Sequence, residues 1–286
     1  WRAGGHNGLT NSEDPGRPEP AFPRVLEIRK LMRGMGLGQV PIVMAGGVWH
    51  LKDWDDFIGS DDLGPIAFQF GTRPLLTKES PIPQSWKQRL LELLPGEVLL
   101  HRFSPTGFYS SAVKNTFLGE LVERSERQVA FAEAADPDGG FDSFYPYGRS
   151  GHGVWLSAAD LAQVQGWVAE GYTQPMRTPD SSLIFVAADR QRQIRRDQAD
   201  CMGCLSHCKF SNWKDHDDFT TGKPADPRSF CIQKTLQDIA HGRGDPVDNQ
   251  LMFAGHNAYR FRQDPFYANG FVPTVKELVQ RILTGH

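Results

Sequence analysis

Two stretches decide the fold: Val40-Pro41-Ile42-Val43-Met44-Ala45-Gly46-Gly47, and, a short distance on, Pro65-Ile66-Ala67-Phe68-Gln69-Phe70-Gly71-Thr72-Arg73. Each is a short continuous apolar run closed by glycine. Such a run reads as a strand buried on both faces, an environment that a parallel sheet covered by helices provides. Between the two runs, Trp49 to Ile58 reads as a helix. Ahead of them Val25, Ile28, Leu31, Met32 and Met35 recur at helical spacing, and Gly34, Gly36 and Gly38 end that pattern. The order loop, helix, strand, helix, strand is that of βα repeats, which places the chain in the α/β class.

Working outward, Trp86 to Leu94 reads as a further helix. The pattern then becomes irregular through Pro105-Thr106-Gly107 and a turn-rich stretch from Pro137 to Gly153, as expected of an insertion. Within it, Ser157 to Tyr172 reads as a helix with Asp160 three residues after a serine cap, and Leu183 to Val186 as a strand. Val275, Leu278, Val279, Ile282 and Leu283 mark a closing amphipathic helix that begins beside Pro273. No internal repeat or low-complexity tract is present.

The 286 residues are 39% hydrophobic, enough for one large core or two modest ones. Basic residues number 31 and acidic residues 34, without a long run of either sign, so a nucleic-acid or membrane-surface role has little electrostatic support. No apolar stretch approaches the ~20 residues that span a bilayer, and no basic segment followed by an apolar run opens the chain. These features read as a soluble, cytoplasmic protein. Trp1 stands at the start, and Ala3-Gly4-Gly5-His6 is already motif-dense with no element before it, from which further sequence upstream is expected.

Glycines after strands let backbone N–H groups approach a ligand phosphate, and the loops after the last two strands of an eight-stranded α/β barrel commonly form such a site. Gly46-Gly47 and Gly71-Thr72 suit that role, the Thr72 hydroxyl adding a donor; a glycine after a strand is also commonly a mere turn. The second signal is the clustering of all four cysteines: Cys201, Cys204 and Cys208 at Cys-x2-Cys-x3-Cys spacing, with Cys231 further on and His207 inside the group. Four thiolates suit a [4Fe–4S] cluster or a structural zinc. Three close cysteines plus a remote one are more like the former.

Read together, the order Ala3-Gly4-Gly5-His6, Val43-Met44-Ala45-Gly46-Gly47-Val48 and Gln69-Phe70-Gly71-Thr72-Arg73-Pro74-Leu75-Leu76-Thr77-Lys78-Glu79-Ser80 resembles the nitronate monooxygenase (2-nitropropane dioxygenase) family. The likeness continues at Thr106-Gly107 with Lys114-Asn115, and at Gly244-Asp245, Ala254-Gly255-His256 and the final helix, with His256 standing where the family has Gln.

The resemblance implies the C-terminal part of a (β/α)8 TIM barrel, from the end of strand 6 through strand 8 and the closing helix, with an inserted Cys-rich subdomain. Residues 1–120 then form the FMN-binding part of the barrel, 121–240 an inserted helical, Cys-rich metal-binding subdomain, and 241–286 the return to the barrel. The N-terminal barrel half is expected to be supplied from outside this stretch. It also implies FMN held by Gly4, Gly5, Ala45, Gly46, Gly47, Gly71 and Thr72, with His6 as the base that removes the proton α to a nitro group. The substrate is then a nitronate or another activated carbon acid. The sequence around Cys201 is similar to the cluster motif of the 2,4-dienoyl-CoA reductase and trimethylamine dehydrogenase family. That likeness opens an alternative, an enoyl reductase with NAD(P)H as electron donor and an iron–sulfur centre. A non-catalytic fragment of a split enzyme is a third possibility. Trp49, Trp54, Phe68 and Phe70 read as packing residues, Arg190 to Arg196 as a solvated helix face, His50 as a surface or packing residue, and Tyr109, Tyr259 and Tyr267 as candidates for a pocket lining.

Overall fold

A computed structural model describes residues 20–103, 109–148, 150–205 and 226–285, with the side chains of 199–205 and 233 left out of the description. The chain divides into two compact units, one of Trp1–Arg102, Phe108–Asn115 and Thr235–His286, the other of Phe103–Gly107 and Thr116–Lys234.

The first unit opens with α1 (Ala21–Gly34), strand β1 (Ile42–Ala45), a 3-10 turn at Leu51–Trp54 running into α2 (Asp55–Ile58), and strand β2 (Ile66–Gln69). β1 and β2 pair in parallel, in register from Ile42 opposite Ile66 to Ala45 opposite Gln69. This is the βα alternation expected from the two apolar runs. The burial differs from expectation. Only Met44 of β1 is buried, and Val43 is 57% exposed. The runs are apolar enough for two covered faces, but the described residues pack one cluster against them: Val25, Met44 and Leu63 with Ile42, Trp54, Phe57, Ile66 and Phe68.

In α1 the expected apolar stripe is likewise mostly solvent-facing: Ile28, Leu31 and Met35 are exposed, while Val25 and Arg29 are buried. The Arg29 guanidinium replaces a hydrophobic anchor with hydrogen bonds. It donates to the carbonyls of Gly38 (2.8 Å), Val40 (2.8 Å), Pro65 (2.8 Å) and Leu63. One side chain thereby satisfies carbonyls on the approaches to both strands, groups that are costly to bury unpaired.

After β2 a 3-10 turn (Arg73–Leu75) leads to α3 (Gln84–Glu92) and an antiparallel pair, β3 (Val98–His101) with β4 (Ser110–Val113). The sequence shows no clear signal for this pair, because Pro105-Thr106-Gly107 breaks the alternation. The second unit then runs α4 (Thr116–Glu126), β5 (Gln128–Ala130), β6 (Ser143–Pro146), β7 (Gly153–Leu156), α5 (Ala158–Ala169), β8 (Gln174–Arg177), β9 (Ser182–Val186) and α6 (Ala188–Leu205). It holds an antiparallel sheet of order β5-β9-β8 and an antiparallel hairpin β6-β7, over a core of Val129, Phe131, Val154, Leu156, Val164, Leu183 and Phe185. Ser157 caps α5 by accepting from the Asp160 amide at 3.0 Å, as its sequence predicts. The strand expected at Leu183 to Val186 is β9, and four further strands, β5 to β8, lie in the stretch expected to be helical. Their short runs are interrupted by turns, so they show little period in sequence.

The chain closes with α7 (Ile232–Ala240), a 3-10 turn at Val247–Asn249, α8 (Arg260–Gln263), a 3-10 stretch at Pro265–Gly270 and α9 (Val275–Thr284). A capping box of Thr274 and Glu277 starts α9 and Gly285, in the left-handed region, ends it. Leu278 and Ile282 are its buried face. The first unit's core gathers Trp49, Leu76, Trp86, Leu90, Met252, Phe261 and Tyr267. Parallel strands joined by a helix, with further helices and antiparallel pairs, make the described chain α/β; among the described residues no closed barrel forms.

Candidate functional site

The parallel pairing of β1 with β2 ends at Ala45 opposite Gln69, so the loops that follow, Gly46-Gly47 and Gly71-Thr72, leave adjacent strands at the same level. Gly46 (φ +85°) and Gly47 (φ +83°) both take a left-handed backbone that other residues adopt at a cost. Gly47 is needed for a second reason. A Cβ there would lie 2.7 Å from Cε1 of His256. Gly71 is exposed, with open space where a side chain would begin.

A third segment, Gly255-His256-Asn257, ties the two loops. The Gly255 amide donates to the Thr72 hydroxyl at 2.8 Å, and the Asn257 side-chain amide donates to the Gly47 carbonyl at 2.6 Å. Thr72 accepts in that bond and keeps its own proton to donate. Among the described residues no backbone carbonyl accepts from the N–H groups of Gly46, Gly47, Gly71 or Thr72. Amides without a backbone acceptor among the described residues, two of them on left-handed glycines, lie beside a hydroxyl donor and form a corner chemically suited to an oxyanion such as a phosphate.

Immediately past each loop the chain plunges into a buried polar network that sequence reading missed. Arg73, almost fully buried, donates to the Trp49 carbonyl at 2.6 Å and to the Tyr267 hydroxyl at 3.0 Å, and its guanidinium carbon lies 4.9 Å from the Trp49 ring centroid. Asp264 is the opposing charge. It accepts from the Trp49 indole (3.0 Å) and the Phe266 amide (3.0 Å), pairs with Arg281 at 3.3 Å, and faces Arg73 at 3.9 Å and His50 Nε2 at 3.5 Å. Burial by itself pushes the Asp264 carboxyl up, but the Phe266 amide, the Trp49 indole and the two arginines hold it below the ordinary value. His50 is buried too, and burial, reinforced by Arg73, lowers its pKa against the opposing pull of Asp264 and Asp53. Its Nδ1 has no hydrogen-bond partner among the described residues. Burial raises the Tyr267 pKa.

Tyr267 is therefore a buried strut, where the sequence suggested a pocket lining. Trp49 is packing, as expected, edge-on to Phe261 with centroids 4.9 Å apart. The one trace of this network in the sequence is positional: Arg73 directly follows Gly71-Thr72, and Trp49-His50 follow Gly46-Gly47 after Val48. Asp264, nearly two hundred residues on, carries no such signal.

Of the other residues singled out, Gly4, Gly5 and His6 lie outside the described residues, as does Cys208. Cys201 and Cys204 fall in the last turns of α6, their side chains outside the description, and Cys231 is half-buried just before α7. No group of three metal-ligating side chains that could hold an ion occurs among the described residues, so the iron–sulfur and zinc expectations gain no support there. No described helix is long and apolar enough to cross a membrane.

A search of curated proteins finds no match. Among protein-family models, that of nitronate monooxygenase matches residues 1–285, a span that takes in the segment 121–240 set apart by its irregular pattern. The motif order of the sequence, the parallel strand ends with their glycine corner and a match over almost the whole length agree: the chain belongs to the nitronate monooxygenase family, FMN-dependent oxidoreductases built on a TIM barrel.

Proposed function

We propose that this protein is an FMN-dependent nitronate monooxygenase that oxidises alkyl nitronates or nitroalkanes, with His6 as the base. The observation that carries the reading is the corner formed by Gly46, Gly47, Gly71 and Thr72. Its amides, which have no backbone acceptor among the described residues, and its hydroxyl fit the FMN phosphate, and a side chain at Gly47 would strike the His256 ring beside it. Gly4, Gly5 and Ala45 complete the cofactor contacts in this reading. β1 and β2 are then the seventh and eighth strands of the barrel, and residues 121–240 are inserted in sequence between the eighth strand and the closing helix α9.

FMN, when bound, supplies the electron acceptor for oxidation of the substrate carbon. The protein supplies the rest. The glycine corner fixes the phosphate and so sets where the cofactor's ring lies. His6, directly after Gly5, takes the proton from the carbon α to the nitro group, a step for which an imidazole near neutral pH is suited. The cysteines support a separate cofactor reading: Cys201, Cys204, Cys208 and Cys231 hold a [4Fe–4S] cluster, or zinc in its place. What supports it is their spacing alone.

The full chain purified without oxygen is expected to show flavin absorption and to consume oxygen with alkyl nitronates. His6→Ala is expected to keep the flavin and lose about 10²- to 10⁴-fold in turnover of neutral nitroalkanes, the usual share of a general base. A chain that takes up no flavin overturns the reading and leaves a non-catalytic fragment. NAD(P)H oxidation driven by an enoyl thioester, without nitronate-dependent oxygen uptake, replaces it with reductase chemistry. The same spectrum checks the cysteines: a broad shoulder bleached by dithionite, with iron and sulfide in equal amounts, is expected, and its absence removes the cluster.

A further inference from the structure

The segment that ties the two glycine loops contains a residue the tie does not explain. Its bonds to the loops come from the Gly255 amide and the Asn257 side chain, yet His256 between them turns its ring onto Gly47. The orientation is specific. From the position a Cβ of Gly47 would occupy, Cε1 lies at 2.7 Å, Nε2 at 3.5 Å and Nδ1 at 3.6 Å. Cε1 sits between the two ring nitrogens, so the nitrogen-bearing edge of the imidazole faces the left-handed glycine loop. The ring is half-buried. An apolar side chain would fill the same space without bringing nitrogens there.

We propose that His256 is a direct phosphate ligand in the cofactor site, a hydrogen-bond donor and, when protonated, a cation that adds to the amides of Gly46, Gly47, Gly71 and Thr72. This deepens the FMN reading above and rests on it. An imidazole N–H donates to a phosphate oxygen in the neutral state, and a charge-assisted bond forms in the protonated one. Gly47 and His256 act as a pair: the missing side chain of one makes room for the ring of the other. The contribution is specific to the phosphate end of the cofactor, which sets its test.

Binding of FMN and of riboflavin, which lacks the phosphate, is measured by flavin fluorescence on the full chain and on two variants. His256→Ala removes the ring; His256→Phe keeps a ring against Gly47 and removes both nitrogens. Each is expected to weaken FMN about tenfold, the scale of one lost charge-assisted bond, and to leave riboflavin unchanged. The FMN-to-riboflavin preference then falls by that factor, which a merely structural loss, affecting both flavins alike, does not produce. A lower preference in whichever variant folds supports the inference. An unchanged preference in a folded variant, with wild-type FMN binding intact, overturns it and leaves the FMN reading standing. A wild-type chain that binds neither flavin removes both.

Discussion

A single absent methyl group shapes the candidate site. Gly47 combines a positive φ with the close approach of the His256 ring, and the two constraints reinforce each other. Gly47→Ala is expected to destabilise the fold by about 1–3 kcal/mol through backbone strain. It also displaces the imidazole, so FMN retention falls together with the melting midpoint; thermal unfolding and flavin titration of the same variant check both. An alanine variant with wild-type stability and flavin affinity would show that the corner is looser than its geometry indicates. Arg73 and Asp264 illustrate the converse, a residue role invisible in local sequence. Both are buried, and their charges are offset by each other, by Arg281 and by the Trp49 and Tyr267 polar groups. Removing one partner of such a set leaves a buried charge unpaired, the costly direction of change.

At the scale of elements, the parallel strands are held by a cation as well as by apolar packing. Arg29 projects from α1 into the carbonyls of Gly38, Val40, Leu63 and Pro65, while Ile28 and Leu31 of that helix face solvent. Arg29→Met keeps the length of the side chain and removes the donor from these carbonyls, of which only that of Pro65 keeps another, the Ile42 amide, among the described residues. The expected cost is about 3 kcal/mol in urea unfolding, larger than for most single surface changes. A Met variant as stable as wild type would mean that water reaches these carbonyls and replaces the guanidinium. Helix α9 works by simpler rules: Thr274 and Glu277 cap its start, Gly285 its end, and Leu278 and Ile282 anchor it.

For the molecule as a whole, the buried network gives stability a direction with pH. His50 has a folded pKa below its ordinary value of 6.5, so the unfolded chain takes up the proton first. Its contribution is full above that value and is lost as pH falls towards the folded pKa. Asp264, also lowered from its ordinary 3.8, adds stability that is present above that value and is lost as pH falls through its folded pKa. Both act in the same sense. The melting midpoint is expected to fall from about pH 7 to about pH 5 through His50, and further in stronger acid through Asp264. His50→Gln flattens the first limb; a midpoint that rises on acidification to about pH 5 contradicts the assignment. The sequence by itself determined the class of the fold, because two glycine-closed apolar runs with a helix between them have few other solutions. It also determined the family, because three glycine motifs in fixed order are specific, and the ends of α5 and α9, because capping is local. Tertiary structure decided what depends on distant partners. It placed Asp264 beside His50 and Arg73, set His256 against Gly47 and left Val43 exposed. It also arranged the short strands of residues 121–240 into two sheets. Burial, charge pairing and strand partnership are relations between segments far apart in the chain, and periodicity within one segment cannot record them.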